Sequence, residues 1–431
     1  WLAWLSCVAV APTEAQAMIH YGSRFIEGLT YQSGNHLALT PQGILVAAIL
    51  VSILTWINTQ GIKTMIKYNN ILTIWKICVP TVVLAILFYN RFTPSNFTSH
   101  SFMPTGYEGI FSALSTSVVF SYIGFRECTS LAAEAKNPQK SIPIACIGSV
   151  LYCTIFYMLM QIVFIGAVDE GMIQNGWSFL SFQHDSGPFA GLAIALGLHW
   201  LATIVYVDAA VAPAGAGLVY TATTSRLLLA MSQNGFLPSY FGRLNKQGVP
   251  QNALIVNALV GLVLLAPFDG WVALVKFQSV AMILAYAIGP VSVIVLRQTM
   301  PEVERPFKLP MVYLFCQFSL TICMLLVYWS GFDTVLPLSI SVLLGFVIYT
   351  AKAGFKEVEH ATWLIPLTLC ILAVSYLGHY GGIGYLSSYS DIMILFICSI
   401  VILKMGLNSK LNPIMAHHYL NDNKLKYYDA I

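Results

Sequence analysis

The sequence predicts an all-α polytopic membrane protein, and three observations carry that prediction. Hydrophobic residues make up 57% of the chain and charged residues only 9%, with a mean hydropathy of +0.74. Water-soluble domains carry roughly a quarter charged residues, so this chain cannot cover a surface that faces water. The apolar residues also arrive in blocks long enough to cross a bilayer, which takes ~20 residues of helix. Strict alternation over ~10 residues, the mark of a transmembrane β-barrel strand, is missing.

Taken in order, the apolar blocks place twelve spans near 1–19, 43–58, 69–89, 109–131, 142–167, 189–225, 251–268, 271–296, 310–330, 334–351, 361–378 and 390–404. Turn-forming residues punctuate them at Gly34-Asn35, Asn69-Asn70, Asn137-Pro138, Asn234-Gly235 and from Pro301 to Pro310. The first block opens at Trp1 with neither the basic leader nor the small-residue cleavage site of a signal peptide, so the N-terminus is expected to be truncated. The block 188–231 is long enough for one long helix or two short ones. Charge decides between them, because cytoplasmic loops are enriched in Lys and Arg. With a single pass there, Lys63, Lys67, Lys136, Lys140, Arg226, Arg243, Lys246, Arg297, Arg305, Lys308, Lys352, Lys356, Lys404, Lys410, Lys424 and Lys426 share one side, and only Arg24 and Arg91 fall on the other. A second crossing erases that asymmetry. One long span is therefore expected, with room for an external helix before it, and both ends of the chain facing the cytoplasm.

Other features narrow the function classes. The nine cysteines are scattered through or beside the apolar blocks without a CxxC pair or Cys/His ligand spacing, so no metal site is expected and the thiols read as helix-packing residues. A net charge of +3 dispersed among loops implies no nucleic-acid partner. P-loop, Ser/His/Asp and metal-helix motifs are absent from the sequence, so neither an enzyme nor a cofactor is implied. The sequon Asn96-Phe97-Thr98 is read as chance.

The fourth span differs from the rest. It reads Phe120-Ser121-Tyr122-Ile123-Gly124-Phe125-Arg126-Glu127, after a hydroxyl-rich stretch from Ser112 to Ser117. Each charge costs ~2.5–3.5 kcal/mol at a helix centre on insertion scales. Gly124 supplies backbone freedom where the helix has to break, and unwound backbone at membrane depth survives only where it lines a cavity or is buried in protein. Broken helices of secondary transporters present such backbone to substrate near the midplane. The alternative is a kinked structural helix in which Arg126 and Glu127 pair with each other or with a neighbour.

The stretch Ser121 to Phe125, followed by Ala132-Ala133-Glu134-Ala135-Lys136-Asn137-Pro138-Gln139-Lys140-Ser141-Ile142-Pro143, resembles the signature of amino acid permeases of the amino acid–polyamine–organocation superfamily. Further matches are Tyr220 to Arg226 with Gly235-Phe236-Leu237-Pro238 and Gly248-Val249-Pro250, Arg297 with Arg305 to Pro310, and Asp208 with Pro213 to Gly217. Together they cover about residues 1–350. The resemblance implies a LeuT-like inverted-repeat transporter in which Ser121, Tyr122, Ile123, Gly124, Phe125 and Arg126 line the substrate site. It aligns the first span with the family's third helix, which leaves two helices unaccounted for upstream. Residues 1–353 then form the permease core, 354–405 two additional helices, and 406–431 a cytoplasmic tail. Where the family usually has an acidic residue after Gly-Phe, this chain has Arg126. That difference fits an acidic amino acid substrate, or an internal ion pair with Glu127.

Intramembrane carboxylates supply the remaining candidates. Glu14 near Pro12, Asp208 within an apolar run and Glu127 are each read as a proton-coupling group or a hydrogen-bonded structural acid. Lys76 and Lys276 are expected near span ends, snorkelling to the interface. His199 reads as a satisfied interior histidine. Tyr122 and Phe125 are candidate gates, and the Gly and Ala of 214–217 a close-packing stripe. The expected function is secondary, proton-coupled amino acid transport in the plasma (cell inner) membrane, with an amino acid, the proton and membrane lipid as partners. Exchange, an inactive truncated permease and a non-transporting sensor are the alternatives.

Overall fold

A computed structural model describes residues 1–33, 36–99, 103, 105–132, 135–182, 187–265, 271–305, 308–354 and 358–409. Gly34, Asn35, Glu134, Pro306, Phe307, Lys356, residues 266–270 and the tail from Lys410 lie outside these ranges. Ten of the described helices are long and apolar enough to cross a bilayer. In chain order these and the shorter elements are α1 (Leu2–Gly22), a hairpin of β1 (Thr30–Ser33) and β2 (His36–Leu39), α2 (Pro41–Thr59) and α3 (Ile62–Asn90). The broken fourth span supplies α4 (Gly106–Ala113), α5 (Val119–Tyr122) and α6 (Glu127–Ser130). Next come α7 (Pro138–Ala167), α8 (Pro188–Ala195), α9 (His199–Gln233), α10 (Gln251–Val263) and α11 (Trp271–Thr299). The chain ends with α12 (Val312–Trp329), α13 (Phe332–Ala353), α14 (Leu364–Leu377) and α15 (Ser388–Asn408).

Two of the twelve expected spans depart from a regular crossing. The fourth is broken, and α10 is only 13 residues long. The block 188–231 divides into α8 and one continuous α9, the long helix starting at His199 rather than at 189 because Gly197 takes a left-handed turn (φ +76°) between them. The third span also begins earlier than its apolar content suggests, at Ile62 instead of 69.

Burial sorts the helices into centre and periphery. Over their most apolar stretches α1 is 78% buried and α11 61%, against 17% for α3 and for α7, so the first pair forms the core of the bundle and the second turns side chains toward lipid. Proline and glycine shape the centre. Pro12 has no N–H to offer the carbonyl of Val8, and α1 loosens at Ala9. Gly261 of α10 packs into that kink, where a Cβ would lie 3.0 Å from the Val8 carbonyl and 2.9 Å from the Pro12 ring. Across the core, Thr13 donates to Gln278 Oε1 at 3.2 Å and Trp4 Nε1 to Asn257 Oδ1 at 2.9 Å, the interhelical polar bonds that hold helices together without a hydrophobic driving force.

Loops carry the remaining signature residues in structural roles. Arg305 donates to the carbonyls of Val303, Leu296 and Met300, closing the open end of α11, and Arg297 donates to Leu309. Asn245 ties the turn before Gly248-Val249-Pro250 to Thr59. The Asn96 side chain is buried and donates to Ile165 and Val168, so the sequon presents no free amide for glycosylation. Beside it Arg91 pairs with Asp169, whose carboxyl is held below the ordinary range first by the Gly171 N–H and then by Arg91.

Candidate functional site

The fourth span unwinds in two places. A π-helical turn at Leu114–Val118 interrupts the hydroxyl-rich stretch, and such turns concentrate at functional sites. Past Tyr122 the helix stops: Ile123 is extended (ψ 138°) and Gly124 takes φ +114°, a conformation open to glycine alone at little cost. A Cβ on Gly124 would also sit 3.3 Å from the Tyr220 hydroxyl of α9. The carbonyl freed at Ser121 is not orphaned, because Tyr157 of α7 donates to it at 3.0 Å. Tyr122 donates to Thr154 of the same helix at 3.1 Å. Both contacts anchor the first limb, 106–122, onto α7.

After the break Arg126 and Glu127 turn toward the bundle core, while Phe125 stays partly exposed. Arg126 lies over the Tyr286 ring of α11, 5.2 Å from its centroid, with one guanidinium nitrogen 3.9 Å from Met282 Sδ. Phe125 packs on the same tyrosine at 5.3 Å. Glu127 is buried at 4% exposure. Cys7 and Val10 of α1, Tyr220 of α9 and Met282 close this region into one cluster with Ile123 and Tyr286. Among the described residues neither Arg126 nor Glu127 has an ion-pair partner within 4.0 Å. Arg126 Nε, both Glu127 oxygens and the hydroxyls of Tyr220 and Tyr286 are buried and meet no regular hydrogen-bond geometry there, although Thr223 lies beside Glu127 and the Gly124 backbone beside Tyr286. The internal Arg126–Glu127 pair considered above is therefore not formed in this structure. These atoms gather in one core region, an unusual concentration of buried polar groups outside regular hydrogen-bond geometry.

A second constellation lies where α1, α3 and α9 meet. Lys76 is within electrostatic reach of Glu14 and Asp208. Its ammonium reaches into a niche left by Gly215, where a Cβ would fall 2.9 Å from Nζ. Lys76 is thus not a snorkelling residue at a span end: α3 starts at Ile62, well before the expected boundary, and its mid-point side chain turns toward α9. Asp208 Oδ1 is buried without a hydrogen-bond partner among the described residues. Glu14 and Asp208 come together around this lysine, and Glu127 stays with Arg126. Gly217 admits Leu54 of α2 closely, with a Cβ position 2.7 Å from Cδ1, so the Gly/Ala stripe serves packing and the lysine niche alike.

Sequence reasoning placed Tyr220 only at the start of a loop signature and missed Met282 and Tyr286, which carry no local signal as apolar or aromatic residues in apolar helices. For Lys76 the signal was present as a charge in a span, and only the helix boundary hid its depth.

An amino acid permease family profile matches residues 1–351. Among curated proteins the chain is 35% identical to the Glutamate/serine transporter AimA of Bacillus subtilis, over 98% of this chain and 80% of that protein. It is 34% identical to the Aspartate-proton symporter of the same organism, over 93% of this chain and 78% of the symporter. It is 31% identical to the Branched-chain amino acid permease BcaP, also from B. subtilis, over 70% and 62%.

Proposed function

The chain belongs to the amino acid permease family, and on that premise we propose that it is a proton-coupled amino acid transporter with an acidic amino acid as its cargo. Arg126 is the observation that carries the cargo. It stands beside unwound backbone, over an aromatic ring, with no carboxylate within ion-pairing distance among the described residues. A guanidinium in such surroundings is a strong bidentate ligand for a carboxylate, and its fixed charge favours a substrate that brings a compensating one. The similarity to proteins named for glutamate and serine and for aspartate with protons supports the same reading.

Coupling is assigned to the Glu14, Lys76 and Asp208 constellation, with Glu127 beside the substrate. Three titratable groups on three helices sense helix movement, because the charge they jointly carry depends on how closely those helices approach. Substrate sits at the break around Ser121 to Arg126, and access alternates around it as the surrounding helices rock. The Lys- and Arg-rich loops mark the cytoplasmic face of a plasma membrane.

Uptake into liposomes tests both parts. Purified protein is supplied with labelled aspartate, with unlabelled glutamate, serine, lysine or leucine as competitors, at equal pH and with an inward proton gradient. Aspartate uptake rises with the gradient and glutamate competes while lysine does not. Indifference to the gradient rules out symport, and uptake unaffected by glutamate or aspartate rules out the acidic cargo.

A further inference from the structure

We propose that Cys128 and Cys146 form a reversible disulfide that ties the second limb of the broken helix to the helix that follows it. Their Sγ atoms lie 3.1 Å apart. Cys128 is the second residue of α6, directly behind Arg126 and Glu127, and Cys146 lies within α7. Neither thiol is fully buried by the protein. A disulfide needs a sulfur separation of about 2.05 Å, so closing the gap takes a movement of about 1 Å.

The chemistry balances with a low-molecular-weight disulfide as oxidant. The thiolate of one cysteine attacks that disulfide, forming a mixed disulfide and expelling one small thiolate. The second cysteine, as thiolate, attacks the protein sulfur of the mixed disulfide and expels the other small thiolate. Two protein thiols become one disulfide, two small thiols are released, and the two protons lost by the cysteines end on them. A reducing thiol reverses each step.

The consequence follows from what α6 is. It has four residues and begins at Glu127, so its position sets that of Arg126 and Glu127. At present its sulfur contacts are reversible ones: Cys128 donates to the Phe125 carbonyl at 3.3 Å and faces Cys146. A covalent link fixes the limb to α7, and a limb so fixed cannot rearrange around substrate. The effect on uptake rests on the transport reading given above; the bond itself does not.

Wild-type protein and the Cys128→Ser, Cys146→Ser and Cys370→Ser variants are reconstituted in liposomes and exposed to glutathione disulfide. The last variant serves as a control because Cys370 and Cys398 also face each other, between α14 and α15. Digestion without reductant, followed by mass spectrometry, reads the linkages, and aspartate uptake is followed before and after oxidation. The expected result is a joined peptide pair containing Cys128 and Cys146, with uptake lowered several-fold and restored by dithiothreitol. Cys128→Ser and Cys146→Ser keep their uptake in oxidant, and Cys370→Ser responds as the wild type does. Absence of the 128–146 linkage while other thiols are oxidised overturns the proposal, as does complete linkage with uptake unchanged. If untreated wild-type protein takes up no amino acid at all, the transport reading fails, and the joined peptides alone decide the pair.

Discussion

Gly124 and Arg126 sit two residues apart at the break and answer different demands. Gly124 is required by backbone geometry, since φ +114° is strained for any residue with a side chain, and a Cβ there would also crowd the Tyr220 hydroxyl at 3.3 Å. Arg126 is required by nothing in the packing, which leaves its Nε buried without a partner among the described residues. The first was legible in the sequence, because a glycine beside two charges weakens an apolar span at the point where a regular helix is already costly to insert. The second was legible as a charge but not in its surroundings, which belong to α11. Replacing Arg126 with Gln removes charged hydrogen bonds worth ~1.5–3 kcal/mol, so the KM for aspartate is expected to rise roughly 10–100-fold. Lys restores only part of this, having the charge without the planar fork. A KM equal to that of the wild type in both variants shows that Arg126 does not touch the cargo. Asp169 carries a pH prediction. Its folded-state pKa is depressed by the Gly171 N–H and by Arg91, so its contribution is present above the unfolded value of about 3.9 and is lost as pH falls through the lower folded one. The carboxylate is exposed, so the effect is local and small. Hydrogen-exchange protection factors at residues 168–173, taken relative to the intrinsic rate at each pH, are expected to fall on acidification in the wild type and to respond less in Asp169→Asn.

The last two helices show how elements acquire a role that their composition does not announce. From the sequence, 361–378 and 390–404 are apolar spans and nothing more. In the fold they share one core with α11, α12 and α13. Ser399 of α15 accepts from Gln317 at 2.6 Å and meets Thr321 at 2.8 Å, both on α12. Fully buried Asp391 accepts from the Tyr328 hydroxyl at the far end of the same helix. The next residue, Trp329, stacks on Phe111 of α4 at 4.3 Å with an interplanar angle of 5°. The additional pair therefore braces α12 along its length, and α12 in turn supports the first limb of the broken span. Asp391→Ala strands the Tyr328 hydroxyl, a loss of ~1–3 kcal/mol, whereas Ser399→Ala removes interhelical bonds that average ~0.6 kcal/mol each in membranes. Thermal unfolding in detergent is expected to rank Asp391→Ala well below Ser399→Ala, with the latter close to wild type. Equal midpoints for all three proteins count against the brace.

Across the whole molecule, the constellation of Glu14, Lys76 and Asp208 joins three helices that are far apart in sequence. Its place beside the Gly215 niche and the kinked α1 puts it where relative movement of α1, α3 and α9 changes the distances among three charges. Lys76→Gln keeps a polar, hydrogen-bonding side chain and removes the charge. The variant is expected to exchange labelled for unlabelled aspartate across the membrane while losing stimulation of net uptake by an inward proton gradient. Stimulation retained at the wild-type level assigns coupling elsewhere, with Glu127 the next candidate.

By itself the sequence determined that the chain is a bundle of membrane helices, that its fourth span is broken at Gly124, and that its loop motifs are those of amino acid permeases. The first two depend on composition, period or spacing within a short stretch, and the bilayer enforces them locally because backbone groups in lipid must be satisfied within the protein. The loop motifs point to the family by resemblance alone. Helix boundaries were less secure, since the polar first turns of α3 carry Lys63 and Lys67 and look like loop. Tertiary structure alone decided that Arg126 meets Tyr286 and Met282, that Lys76 turns inward, that α15 locks onto α12, and that Cys128 faces Cys146. Those outcomes are set by which helices become neighbours. Contacts such as Trp1 Nε1 to the Ser341 carbonyl at 2.8 Å join residues 340 positions apart. No local pattern encodes a pairing of that range, because each helix presents an apolar surface that any other apolar helix matches almost equally well.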